Sequence, residues 1–289
     1  MGHEDVKKRK VIKWVMIGVS TVFIALMLLA PLAMVIVNSL KRGWAFYLAA
    51  ISTKTALSAL KVSLMATGIT LLVNTFFGIV SALLLTRYAF RGKQFLQTLI
   101  DIPFSVSPVI AGLAFIMMFG RRGWMAPALD AINRALGTNI RIVFAVPGVV
   151  LATIFVTFPF VSREIIPVLN AAGNDEEEAA ALMGASVFTI FRRITFPHMK
   201  WALLYGVVLC AARALGEFGA VNVLSKTRGQ TFTLPQEIDA LYLSGSADSI
   251  TAAFAVSSIL VLFTIILLIL RCILENRAKK AAQSELETK

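Results

Sequence analysis

Residues 14–37 contain no charged side chain, and five later stretches, at about 62–86, 95–119, 142–162, 201–225 and 250–270, come close to the same pattern. A bilayer's hydrocarbon core is roughly 30 Å thick, so a helix needs about 20 residues to cross it, or a few more if it is tilted. Hydrocarbon offers no partner to a backbone N–H or C=O, so each crossing has to close its hydrogen bonds on itself as a helix. The chain is therefore expected to be an all-α integral membrane protein with six transmembrane helices. Composition agrees: 58% of the 289 residues are hydrophobic, only 15% are charged and the mean hydropathy is +0.80. That leaves too little polar surface to coat a soluble globule.

The net charge of +12 does not point to nucleic acid, because the Lys and Arg residues lie between the apolar stretches and not along one amphipathic face. Charges in such places set topology. With the N-terminus inside, seventeen of the 28 basic residues, including Lys7, Lys8, Arg9 and Lys10, fall on the inner side, ten on the outer side, and Arg213 within a span. The expectation is that both termini are cytoplasmic. The first stretch has a basic flank like that of a secretory leader, whose apolar region runs about 7–15 residues. Here the apolar run continues past Pro31, which favours an uncleaved first helix. Cys210 and Cys272 lie in or at the end of apolar segments and read as buried thiols; neither a disulfide framework nor a metal site is expected.

Against this basic and apolar background stands one acidic cluster, Asn174-Asp175-Glu176-Glu177-Glu178-Ala179-Ala180-Ala181-Leu182-Met183-Gly184. The stretch reads as two short helices joined at Gly184. Asn174 can cap the first, Glu177 sits where a capping box places its acid, and the carboxylates suit the positive end of the helix dipole. Gly184 can adopt a left-handed turn, Ser186 can cap again, and Pro197 cannot continue the helix that precedes it. The bland alternative is a solvated helical pair between two spans.

Two spans carry irregular features. The third contains Asp101-Ile102-Pro103-Phe104-Ser105-Val106-Ser107-Pro108 and should be kinked or begin in an irregular turn. Pro147, Pro159 and Pro167 suggest the same of the fourth and its exit. In the fifth, Arg213 and Glu217 lie one helical turn apart on the same face, where pairing lowers the cost of two charges in a low-dielectric region. Such a pair can line a pathway or only fix packing; a partly free Arg213 could meet a tetrahedral oxyanion. The small residues around it, Ala211, Ala212, Ala214, Gly216, Gly219 and Ala220, suit either a crowded interior or a subunit interface. No Gly-x-x-x-x-Gly-Lys-Ser/Thr phosphate loop occurs, so any ATP is handled by another chain. A membrane enzyme is disfavoured: the only histidines are His3 and His198, and no carboxylate pair or nucleophile with a base appears in the spans.

The acidic stretch also has a distinctive spacing: Glu178-Ala179-Ala180, three residues, Gly184, nine residues, Ile194, one residue, then Phe196-Pro197. It resembles the cytoplasmic EAA loop of ABC-importer permeases, with Phe196 in place of the usual Leu. Further stretches, Phe158-Pro159-Phe160-Val161-Ser162-Arg163-Glu164, Trp201-Ala202-Leu203-Leu204-Tyr205-Gly206 and Ala212-Arg213-Ala214-Leu215-Gly216-Glu217-Phe218-Gly219-Ala220-Val221 among them, resemble the CysW-type permeases of bacterial sulfate/thiosulfate importers.

This resemblance implies the type I ABC-importer permease fold. It comprises an N-terminal tail, first helix and outer loop at 1–56, a permease core at 57–274 with its coupling loop at about 171–199, and a tail at 275–289. It places Asp175, Glu177, Glu178, Ala179, Ala180, Gly184, Ile194 and Pro197 at contact with an ATPase, and Arg213 and Glu217 as candidates for the translocation pathway. The implied partners are a CysT-type permease subunit, a CysA-type ATPase dimer holding ATP and Mg, and an extracytoplasmic sulfate-binding protein. The segment Gly229-Gln230-Thr231-Phe232-Thr233-Leu234-Pro235 is the candidate for touching the binding protein. No cofactor is expected on this chain. Molybdate or another oxyanion is the alternative cargo, and an ATP-independent secondary anion transporter the alternative class.

Overall fold

The computed structural model describes residues 3–287, with side chains from Ile12 to Arg277. The side chains of the basic run at 7–10 and of the tail beyond Arg277 therefore lie outside the described residues, as does the end of the tail itself. Among the described residues there is no strand. In chain order the helices are α1 (His3–Leu40), α2 (Trp44–Ile51), α3 (Lys54–Arg87), α4 (Lys93–Ser105), α5 (Pro108–Phe119), α6 (Ala126–Leu136), α7 (Val146–Thr157), α8 (Pro159–Ala172), α9 (Asp175–Leu182), α10 (Val187–Ile190), α11 (Phe196–Leu215), α12 (Gly219–Leu224), α13 (Leu234–Leu243) and α14 (Ala247–Glu287).

The bundle is built around α3, which packs against α7, α8, α11 and α13. Its buried face is made mostly of small and polar residues, Ala56, Ala59, Ser63, Ala66, Thr67, Thr70, Asn74, Gly78 and Ala82, with Val62 and Leu85 beside them. Small side chains let helix axes approach where apolar burial gives no driving force, and polar ones bond across the seam. Both effects are visible here. A Cβ on Gly78 would come within 2.8 Å of the Val161 side chain, and the Asn74 amide donates to Thr157 Oγ1 at 2.8 Å and to the Ile154 carbonyl at 3.3 Å. The peripheral helix α1 leans on α14 and is otherwise exposed along its apolar length, as suits a lipid-facing span. Next to it, the Tyr47 and Ser258 hydroxyls share a hydrogen bond and Arg42 pairs with Asp248, tying α2 and the turn before it to α14.

Five continuous helical segments are long and apolar enough to cross a membrane, and the pair α4–α5 makes a sixth if it is counted as one span. The expected kink in the third span is in fact a bend of 108°. Pro108 has no N–H to continue α4, and Val106 and Ser107 are extended, so the chain restarts in a new direction.

The fourth span lies later than expected. It runs from Val146 to Ala172, joined at Phe158 between α7 and α8, with Pro147 and Pro159 in first turns, where their missing donors cost nothing. Arg163 and Glu164 are thus inside a helix and not beyond its end.

The fifth span is shorter at its far end. Helix α11 stops at Leu215 and the chain turns through Gly216, Glu217 and Phe218 before α12, so Glu217 is not on the same helix as Arg213. At its other end Pro197 does not stop a helix. A π-helical turn at Phe191–Thr195 absorbs the proline and carries α10 into α11, with the Phe196 N–H bonded to the Phe191 carbonyl. Cys210 is buried as expected, whereas Cys272 is exposed on α14, and both are free thiols.

The α5–α12 contact divides the small residues between the two readings left open. Ala220 is fully buried, and a Cβ on Gly112 would meet the Ala220 carbonyl oxygen at 2.7 Å and Val223 Cβ at 3.1 Å, whereas Ala212 and Gly216 face outward. Replacing Gly112 with Val should overpack this seam and cost about 1–3 kcal/mol, seen as a lower melting temperature in mild detergent. Gly68→Ala on α3, where a Cβ meets nothing within 4 Å, should not lower it.

Candidate functional site

Helix α9 begins four carboxylates in a row, Asp175 to Glu178, and ends at Leu182, too short and too polar to be held by core packing. The expected side-chain cap does not form: the Asn174 side chain makes no bond to an α9 amide, and only its backbone carbonyl accepts the Glu178 N–H. Its Oδ1 instead accepts from Arg87 Nη1 at 2.8 Å. Nor does Glu177 close a capping box. Its Oε1 accepts from Arg87 Nη2 at 2.8 Å and from the Thr195 hydroxyl at 2.8 Å, turning the carboxylate into the bundle. A buried guanidinium with a fork of donors out-competes a lone amide for these oxygens. Glu176 reaches His198 at 3.0 Å, while the side chains of Asp175 and Glu178 make no hydrogen bond or ion pair among the described residues and face outward.

The rest of the loop follows its sequence signals. Gly184 is left-handed at φ +85°, where a Cβ would be strained, and Ser186 caps α10 by accepting from the Thr189 N–H at 3.3 Å. Ala179 and Pro197 are exposed, and Ala180 and Ile194 half-buried. Around Gly184 lies a feature that sequence reading missed. Leu182 and Met183 are 90% and 88% exposed, and Val187 and Phe188 stand out nearly as far. Helices of eight and four residues with no buried residue cannot hide such side chains. That brevity, legible in the flanking Gly184 and Ser186, was the available signal.

Arg213 and Glu217 do meet, with Nη1 and Oε2 2.6 Å apart. The approach lies off a good hydrogen-bond direction, so Oε2 is buried without a hydrogen-bond partner, while Oε1 accepts the Ala220 N–H at 2.9 Å and caps α12. Glu217 is 1% exposed and Arg213 35%, so the carboxylate belongs to the core and the guanidinium can reach an open face. A second acid–base pair joins α4 to α8: Arg163 Nε donates to Asp101 at 2.9 Å with its guanidinium over the Phe104 ring.

The loop therefore exposes acidic and apolar side chains on one side and is tied to the bundle through Arg87 on the other. Residues 74–280 match the family described as the binding-protein-dependent transport system inner membrane component. The chain belongs to that family. Among its relatives, the sulfate transport system permease protein CysW of Escherichia coli is 43% identical over 278 residues, 94% of this chain and 92% of that protein. The corresponding CysT protein of Salmonella typhimurium is 34% identical over 257 residues, 86% of this chain and 89% of that one. A chain in the crystal structure of a bacterial alginate ABC transporter in complex with alginate pentasaccharide-bound periplasmic protein has the same fold. Its TM-score is 0.75 over 96% of this chain and 97% of that one, at 17% identity.

In this permease the segment before α13 is clamped from three sides. The Ser58 hydroxyl donates to the Gly229 carbonyl at 2.7 Å, Ser63 Oγ accepts the Leu234 N–H at 2.8 Å, and Gln236 completes a capping box with Thr233. Arg228 grips Glu237 through two bonds of 2.9 and 2.7 Å, which push the guanidinium pKa above its ordinary value. Glu237 is fully buried and Arg228 is 43% exposed. Arg228→Met should therefore strand a buried carboxylate and cost about 2–4 kcal/mol, discounted from a fully buried pair for that exposure. The double variant Arg228→Met with Glu237→Met should recover most of the loss, read as melting temperature in detergent.

Proposed function

We propose that this chain is a permease subunit of an ATP-driven importer that moves sulfate or thiosulfate inward, and that its acidic loop docks on a separate ATPase subunit. The observation that carries this reading is the tip of the loop. Four large apolar side chains, Leu182, Met183, Val187 and Phe188, stand in the open around a left-handed Gly184, with Asp175 and Glu178 free beside them. An apolar patch rimmed by charge is what a partner's groove buries, and the carboxylates ask for cations around that groove. The bias of Lys and Arg supports a cytoplasmic position for this loop and both termini, where ATP is.

Sulfate is supported by the names of the relatives, and the CysW type by the higher identity to CysW than to CysT proteins. A CysT-type partner then completes the permease pair, a CysA-type dimer binds ATP and Mg and does the hydrolysis, and a sulfate-binding protein delivers the anion outside. Arg213, half in the open and held by a buried Glu217, is the candidate to meet a tetrahedral oxyanion on its way. The clamped segment from Gly229 to Pro235 is the candidate contact for the binding protein. Closure of the ATPase dimer would carry the docked loop and tilt the spans attached to it.

Two experiments test this. Glu178→Ala with Gly184→Ala should abolish recovery of the ATPase subunit with the purified chain while leaving it in the membrane; normal recovery would sink the docking surface. In cells lacking this chain and other sulfate importers, labelled sulfate uptake should be lost and restored by wild type but not by the double variant. Unchanged sulfate uptake with lost molybdate uptake would move the cargo to molybdate, and uptake that persists without ATP would favour a secondary transporter.

A further inference from the structure

Helix α9 hangs between two glycine joints. Gly173 separates it from α8 at φ +72°, and Gly184 separates it from α10 at φ +85°. A short helix mounted in this way would fold at its joints when pushed, and the spans behind it would stay where they are. One side chain prevents this at the first joint.

Arg87 is the last residue of α3, with its side chain 12% exposed. Its Nη1 donates to the Leu169 carbonyl of α8 at 3.1 Å, on the near side of Gly173, and to Asn174 Oδ1 at 2.8 Å, on the far side. Its Nη2 donates to Glu177 Oε1 on α9 at 2.8 Å, and the same oxygen accepts the Thr195 hydroxyl from the turn that enters α11. One planar group thus bridges the glycine joint and joins α3, α8 and α9, and Glu177 extends the link to the turn that enters α11.

A buried ion pair is a weak source of net stability, because desolvation offsets most of its attraction. Its geometry is another matter. A guanidinium holds its donors in a fixed fork, so satisfying three acceptors at once sets orientation as well as distance. Lysine, a point charge on a flexible stem, can follow one acceptor but cannot hold both sides of the joint. The exposed Glu176–His198 contact cannot substitute, since Glu176 stands in water.

We propose that Arg87 is the positioning residue that makes α9 move as one body with α3 and α8, so that displacement of the docked loop reaches the membrane spans. This rests on the importer reading above and adds to it a division of labour between neighbours: Glu178 faces the ATPase, Glu177 faces the bundle.

The test uses the assembled transporter in proteoliposomes with binding protein and labelled sulfate, and reads sulfate moved per ATP hydrolysed. The ratio is taken over assembled complexes only, so poor yield drops out. Arg87→Gln should lower it about fivefold or more, within the range of known coupling energies. Arg87→Lys should fall between Gln and wild type, and is read in the same way if the Gln variant does not assemble. Spin labels at Ala181 and Leu84 should give one narrow distance distribution with and without ATP in the wild type and a broad one in the variant. An unchanged ratio, or a distribution as narrow in the variant as in the wild type, overturns the proposal. Failure of the wild-type chain to recruit the ATPase is a separate result that overturns the importer reading first.

Discussion

Hydrocarbon gives no hydrogen-bond partner to the backbone, and this one constraint shapes most of the molecule. Each crossing segment closes its bonds within a helix. Where α11 ends at Leu215, Glu217 turns back to cap α12 and to hold Arg213. Where α10 meets Pro197, a π-helical turn rearranges the bonds without breaking the rod. The small-residue face of α3 follows from the same constraint, since close packing and polar contacts such as Asn74 to Thr157 replace the hydrophobic drive that lipid removes.

Charge obeys the rule in reverse. Carboxylates unwelcome among the spans gather on α9, and the chain divides them by what each can find. Glu177 finds Arg87 and turns inward; Asp175 and Glu178 find nothing among the described residues and face out. Beside them the loop exposes Leu182, Met183, Val187 and Phe188, an arrangement that costs solvation unless a partner covers it. The loop is thus anchored on one side and open on the other, as the proposed lever between two subunits requires.

Much of this was legible in the sequence. The run at 14–37 and the stretch at 250–270 announce their helices by the near absence of charge, and the joint between α9 and α10 follows from Gly184 and the Ser186 cap. The prolines of the third span signal a break, but its 108° bend depends on what α5 packs against, here the close approach of Gly112 to Ala220. The inward turn of Glu177 was not legible, because Arg87 lies 90 positions earlier and nothing local marks the two as partners. Similarly, a four-residue spacing put Arg213 and Glu217 on one helix; they do meet, but across the end of that helix, which stops at Leu215.

The most direct measurement of the central claim is accumulation of labelled sulfate in proteoliposomes holding this chain, its paired permease and the ATPase, with sulfate-loaded binding protein outside and ATP sealed within. The account predicts accumulation against a gradient that stops when ATP is omitted or replaced by a non-hydrolysable analogue. Accumulation driven by an ion gradient alone, without ATP, would contradict it.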